Sequence, residues 1–159
     1  MNIFILSLCP YLCAKYHNDK HVVKMILEYA QMLCTAHHEC DTKPNAKLYK
    51  SAFKNHPCTI WARKTTGNYK WLYLLFRYLC KEYTYRYDKI HTSEIKLLKL
   101  LNKIPNMIPE GNITIFSQAM PDNVKHKNPI IAYHQYYNVY KIHINIWKKR
   151  DTPYFIIKN

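Results

Sequence analysis

A chain of 159 residues with 48% hydrophobic content can build one core, and its length falls where a single domain, residues 1–159, is the default. Twenty-four Lys and Arg face ten Asp and Glu, a formal charge of +14, and this field attracts polyanions, nucleic acid first among them. The sequence has no Gly-rich phosphate loop, G-x-S-x-G elbow or H-E-x-x-H pair, which excludes the enzyme classes built on those motifs.

In chain order, MNIFILSLCPYLCA is apolar but lacks a basic leader, is interrupted by Pro10 and is too short to span a bilayer. The expectation is an intracellular protein with no membrane segment, whose six cysteines stay thiols. Residues 2–8 read as an extended segment, and Pro10 suits a first helical turn. A long helix is predicted from about residue 11 to about 38. CDTKPNAKLYKSAFKN reads as a loop. Pro57 opens a helical region with a break near Thr65–Gly67, where Thr66 is the expected cap. HTSEIKLLKLLNK gives a shorter amphipathic helix from about Thr92. Three prolines and Gly111 mark residues 104–127 as an irregular loop. Asn128 and Pro129 then form a cap and first-turn pair for a helix whose apolar spacing continues to Trp147. Only two glycines occur in the chain, which argues against hairpins. The predicted fold is all-α, a compact domain of three to four main helices with an extended N-terminal segment and a Pro-rich loop.

The stretch YHNDKHVVKM carries a polar stripe, because His17 and His21 are four apart and His21, Lys24 and Glu28 recur at three and four. Glu28 among cations is a candidate general acid or base; a solvated face with Lys24–Glu28 pairing explains the same spacing. His17 and His21 could hold a metal with Asp19 or Glu28, but no third ligand is evident. Cys34, His37, His38 and Cys40 offer three or four zinc ligands near a helix end, where histidines facing the macrodipole serve equally well. Cys58 beside His56 is a poor nucleophile and base, since neighbours on a helix point apart. The expected site has no metal and no cofactor. Aromatics interleaved with cations, as in WARKTTGNYKWLYLLFRY and YTYRYDK, supply stacking faces and phosphate contacts, and also account for an aromatic core. An AT-rich coding genome would bias composition in the same direction.

DKHVVKM, KNHPCTIWAR, YKWLY with EYTYRY, and FSQAMPD with a C-terminal tryptophan and TPYF resemble a family of small proteins encoded by large phages and related viruses. The layout more distantly resembles the phage pyrimidine-dimer DNA glycosylases of the endonuclease V type. That resemblance implies a free α-amine that attacks the sugar C1′ to form a Schiff base, a glutamate on the first long helix that supports the chemistry, and basic residues that grip phosphates. The Arg-Glu pair and following Arg of that family fall near Lys20, His21 and Lys24, so Asp19 or Glu28 must supply the carboxylate. The amine belongs to Met1 or Asn2; Asn2 is bulky enough to favour retention of Met1.

The sequence therefore predicts a viral DNA-binding protein acting on damaged or modified bases as a glycosylase and abasic-site lyase. Met1, Asn2, Asp19, His21 and Glu28 are the catalytic candidates. Lys20, Lys24, Arg63, Lys64, Lys70, Arg77 and Arg86 are the phosphate contacts expected on double-stranded DNA. His21, among these cations, is expected to be neutral and able to accept a proton. The alternative is a non-enzymatic module that captures a nucleotide or host factor in the groove beside His21 and Glu28.

Overall fold

Prolines and short polar caps decide where the helices start. The computed structural model of the chain describes residues 1–157. Among these described residues six α-helices follow one another and no strand forms: α1 (Pro10–Tyr16), α2 (Asp19–Cys40), α3 (Pro57–Ala62), α4 (Thr66–Tyr87), α5 (Thr92–Leu101) and α6 (Pro129–Tyr140). The all-α expectation holds, with α2, α4, α5 and α6 as its four main helices. Pro10, Pro57 and Pro129 occupy first turns, where a missing N–H costs nothing. Asn128 accepts from the Ile130 N–H at 2.9 Å, as its cap position requires.

Three boundaries differ from the sequence expectation. The helix predicted over residues 11–38 is broken at His17 and Asn18, both in extended backbone, and Asn18 recaps the chain by accepting from the His21 N–H at 2.9 Å. The break is held by Arg86 of α4. Its guanidinium donates to the carbonyls of Lys15 and His17, each at 2.9 Å, and so satisfies acceptors that the end of α1 leaves unpaired. Thr65, one residue earlier than expected, caps α4, while the Thr66 hydroxyl pairs with the Gly111 backbone. There the chain approaches so closely that a Cβ on Gly67 would lie 2.7 Å from the backbone of Asn112 and Ile113. Lastly, α6 stops at Tyr140 because Asn145 turns back to donate to the Tyr137 carbonyl at 3.1 Å. Trp147 then leaves the helical path and donates to the Tyr16 carbonyl at 2.9 Å.

The long helices α2 and α4 pack on each other, α1 lies against α4, and α5 closes the far end against both. The extended segment Ile3–Leu6 runs through this core, with each side chain at most 4% exposed. No helix is long and apolar enough to cross a membrane. All six cysteines are free thiols. The suggested zinc cluster is not assembled: His37 is held between Asp41 at 2.6 Å and the Tyr69 hydroxyl at 2.9 Å, and His38 pairs with the Tyr49 carbonyl at 2.9 Å. Among the described residues no three His, Cys, Asp or Glu side chains converge as metal ligands.

Arg86, expected as a phosphate contact, is instead 0% exposed, and its remaining donors go to Glu82 at 2.8 Å and Asp19 at 2.9 Å. Arg86→Met strips partners from two carboxylates and two carbonyls, so it should cost about 3–5 kcal/mol. For a chain of this size that lowers the melting temperature by on the order of 10 °C. Lys20→Met, at an exposed position, should leave melting within about 0.5 kcal/mol of the parent. Thermal unfolding of the two variants checks the assignment; an unchanged melting temperature for Arg86→Met would return this residue to the surface.

Candidate active site

The polar stripe of α2 faces the beginning of the chain. Because Asn18 fixes the start of α2, His21, Lys24 and Glu28 project from one face at intervals of three and four. They meet Met1, Asn2 and Phe4 from the extended segment, Ala119 from the Pro-rich loop, and Tyr136 and Lys141 from the end of α6, around a cavity of about 190 Å³. Glu28 is central. Its Oε2 accepts from the Asn2 N–H at 3.3 Å and lies 3.8 Å from the Met1 α-amine, while its Oε1 lies 3.4 Å from Lys24 Nζ.

Residue 2 fixes this geometry. The Asn2 side chain donates to the Ala119 carbonyl at 2.9 Å and accepts from the Tyr133 hydroxyl at 2.8 Å. The Met1 side chain is itself 2% exposed, and its sulfur accepts from the Thr59 hydroxyl at 3.3 Å. The α-amine thus stands in the cavity on a segment anchored from three sides. Cys58 and His56 feel its charge, yet burial dominates at both: the Cys58 thiol is pushed up to about 11, and His56 is lowered. A buried thiol of that kind is no nucleophile at neutral pH.

His21 is not the exposed base that the stripe suggested. Its ring is 6% exposed, stacks on Phe4 with centroids 4.0 Å apart, and pairs through Nδ1 with the Tyr137 hydroxyl at 2.7 Å. Burial first, then the charges of His17, Lys141 and Lys24, lower its pKa to about 2. The imidazole is neutral, as expected, but burial outranks the cations as the cause. So weak a base can donate or accept a hydrogen bond at the cavity wall, but it does not take a proton at physiological pH.

The other candidates scatter. Asp19 accepts from Arg86 at 2.9 Å and from the Lys148 N–H at 3.0 Å through both oxygens, and it does not line the cavity. Lys20 is exposed one turn before Lys24 on the same helix. Lys70 and Arg77 line a separate depression with Tyr69 and Tyr73. Lys64 is exposed at the turn between α3 and α4, while Arg63 is half-buried with one guanidinium nitrogen unpaired among the described residues. Sequence reasoning missed Phe4, Tyr136 and Lys141, for which no local pattern exists. They come from segments over a hundred residues apart, and the fold alone brings them to one wall.

The neutral histidines make stability pH-dependent. His17, fully buried between the Cys13 carbonyl and the Tyr29 hydroxyl, is lowered to about 4, mainly by burial. His56, His91 and His134 are lowered as well. Above the ordinary imidazole pKa near 6.5 neither the folded nor the unfolded chain binds these protons. Below it the unfolded chain takes them up first, so stability falls with pH. The expected slope is about 1.4 kcal/mol per pH unit for each buried histidine, down to its folded pKa. Urea unfolding at pH 7 and pH 5 should therefore show a marked loss, shallower in His21→Phe. Equal unfolding free energies at the two pH values would contradict the buried, neutral state of His17 and His21.

A family model described as pyrimidine dimer DNA glycosylase matches residues 1–95, more than half of the chain. No curated protein and no solved structure matches. The matched region contains the extended segment, the Arg86 lock and the whole polar stripe of α2, while Tyr136 and Lys141 lie beyond it. A DNA glycosylase family implies DNA as substrate and DNA repair as the process. With its α-amine held beside a helix-borne glutamate in a cationic cavity, the chain belongs to the pyrimidine dimer DNA glycosylase family.

Proposed function

We propose that the protein is a DNA glycosylase and abasic-site lyase that works through the α-amine beside Glu28. The observation that carries this reading is the separation of 3.8 Å between that amine and Glu28 Oε2, in a cavity edged by Lys24 and Lys141. A carboxylate at this distance can take a proton from the amine and then stabilise the cationic imine that follows.

The steps use groups already in place. The amine lone pair attacks C1′ as the bond from C1′ to the base breaks; one amine proton passes to Glu28 and on to the departing base. The nitrogen lone pair next expels the ring oxygen O4′, which takes a proton from solvent, and a Schiff base cation remains. Loss of a C2′ proton to water as the C3′–O bond breaks and the 3′ phosphate departs cleaves the strand, and water hydrolyses the imine to return the amine. Glu28 suits the carboxylate role better than Asp19, whose oxygens are occupied by Arg86 and the Lys148 backbone. Lys24 and Lys141 face the phosphates, with Lys20 extending the strip. His21 and Phe4 form a flat, neutral wall for a base.

Borohydride trapping on duplex DNA with one abasic site tests the reading. The wild type should become covalently attached through its N-terminal peptide, located by mass spectrometry, which also shows whether Met1 or Asn2 carries the amine. Glu28→Gln should slow trapping at least 100-fold, with melting within a few degrees of wild type. DNA binding without any trapped adduct would instead support a non-enzymatic module. Rapid trapping by Glu28→Gln would remove Glu28 from the chemistry.

A further inference from the structure

On another part of the surface, α1, the second half of α4 and the segment after α6 enclose a cleft of about 220 Å³. Its walls are Tyr11, Tyr78 and Tyr85 together with Lys15, Lys81 and Arg150. None of these residues belongs to the cavity around Glu28. We propose that this cleft binds an unpaired nucleotide, with its base against Tyr11, Tyr85 and the Arg150 guanidinium and its phosphate on Lys15 and Lys81.

The aromatic part is open to solvent. Tyr11 and Tyr85 are each 46% exposed, and Tyr11 meets Tyr78 edge-on at 5.5 Å. The Arg150 guanidinium lies over Tyr85 at 4.0 Å. Its plane is pinned by Glu82, which accepts from Nε and Nη2 at 2.9 Å each. Glu82 is 4% exposed and also accepts from Arg86, so the single carboxylate in the cleft is already satisfied. Charge in the cleft is consequently positive. Lys15 stands 4.6 Å from the Tyr11 centroid and Lys81 stands 5.8 Å from that of Tyr78. Neither makes an ion pair with a carboxylate among the described residues, although the field of Lys81 reaches Glu94.

The chemistry selects the ligand. Aromatic faces and a fixed guanidinium plane stack on a base of any sequence, and lysines take its phosphate. A paired base inside a duplex does not present its face, so the nucleotide must be unpaired. The volume lies below the roughly 300–1,000 Å³ of pockets that enclose a drug-sized molecule, which suits one base rather than several. An acidic peptide would use the lysines but leave the tyrosine faces without a purpose. The ligand is a nucleotide in a single strand or a free nucleoside monophosphate, and the test separates these.

The measurement is fluorescence anisotropy of a dye-labelled oligothymidylate with the full chain. Tyr11→Leu keeps apolar area but removes the ring, and should weaken binding about tenfold or more; Lys15→Gln should weaken it and flatten its salt dependence. Both variants should retain wild-type affinity for blunt duplex DNA and wild-type melting. Competition by thymidine monophosphate at millimolar concentration would identify the free nucleotide as a ligand; competition by unlabelled oligothymidylate alone would assign the site to a strand. Undiminished single-strand binding in Tyr11→Leu and Lys15→Gln overturns the proposal, as does an equal loss for duplex and single strand. None of these readouts depends on Schiff-base chemistry at Glu28.

Discussion

An extended segment buried without a neighbouring strand is the constraint on which the rest of this structure depends. Each peptide group of residues 2–6 brings a donor and an acceptor into the core, and among the described residues no β-ladder is present to receive them. Side chains from the surrounding helices answer instead. The Phe4 N–H donates to the Tyr29 hydroxyl of α2, and Leu6 donates to the Cys13 sulfur of α1, whose thiol in turn donates to the Phe4 carbonyl. His134 of α6 pairs with the Leu6 carbonyl, and Trp71 of α4 donates to that of Leu8. Four helices are thereby tied to one extended segment. The amine at its end is carried on a segment anchored in the core, as the proposed attack on C1′ requires.

The distribution of the few acids follows from the same economy. In a chain of charge +14 the ten carboxylates could have been spread over the surface to relieve repulsion. Several of the best-buried ones serve internal joints. Glu82 binds Arg86 and Arg150, Asp19 binds Arg86 and the Lys148 backbone, and Asp41 binds His37 and the Asn106 N–H. The Arg86 joint is also what stops α1 and restarts the chain as α2 in the register that turns Glu28 toward the amine. Surface lysines are left with little opposing charge, and the outward field is positive.

Aromatic residues divide by the same logic. Tyr29, Tyr69, Tyr133 and Tyr137 are at most 1% exposed, and each hydroxyl has a partner, so they act as core residues that also satisfy buried polar groups. Tyr11 and Tyr85 remain open beside cations. Spacing along a helix does not separate these groups, since buried Tyr69 and half-exposed Tyr73 are one turn apart on α4.

The amino-acid sequence by itself determined the class of the fold, because proline and asparagine placement, helical periodicity and the scarcity of glycine are local properties that act within a few residues. Pro10, Pro57, Asn128 and Pro129 mark true helix starts, and His21, Lys24 and Glu28 share a face by helical geometry alone. The likeness to the glycosylase family was legible in the layout of the chain, the order and spacing of its elements. Only the tertiary structure decided what those residues do. Burial against Phe4 and Tyr137 turned His21 from a prospective base into a neutral ring, and pairing with Glu82, Asp19 and two carbonyls turned Arg86 from a prospective phosphate contact into the lock between α1 and α2. It set Glu28 and not Asp19 beside the amine, and brought Tyr136 and Lys141 to the same cavity. Desolvation and long-range pairing depend on which distant segments pack together, and no spacing along the chain encodes that directly.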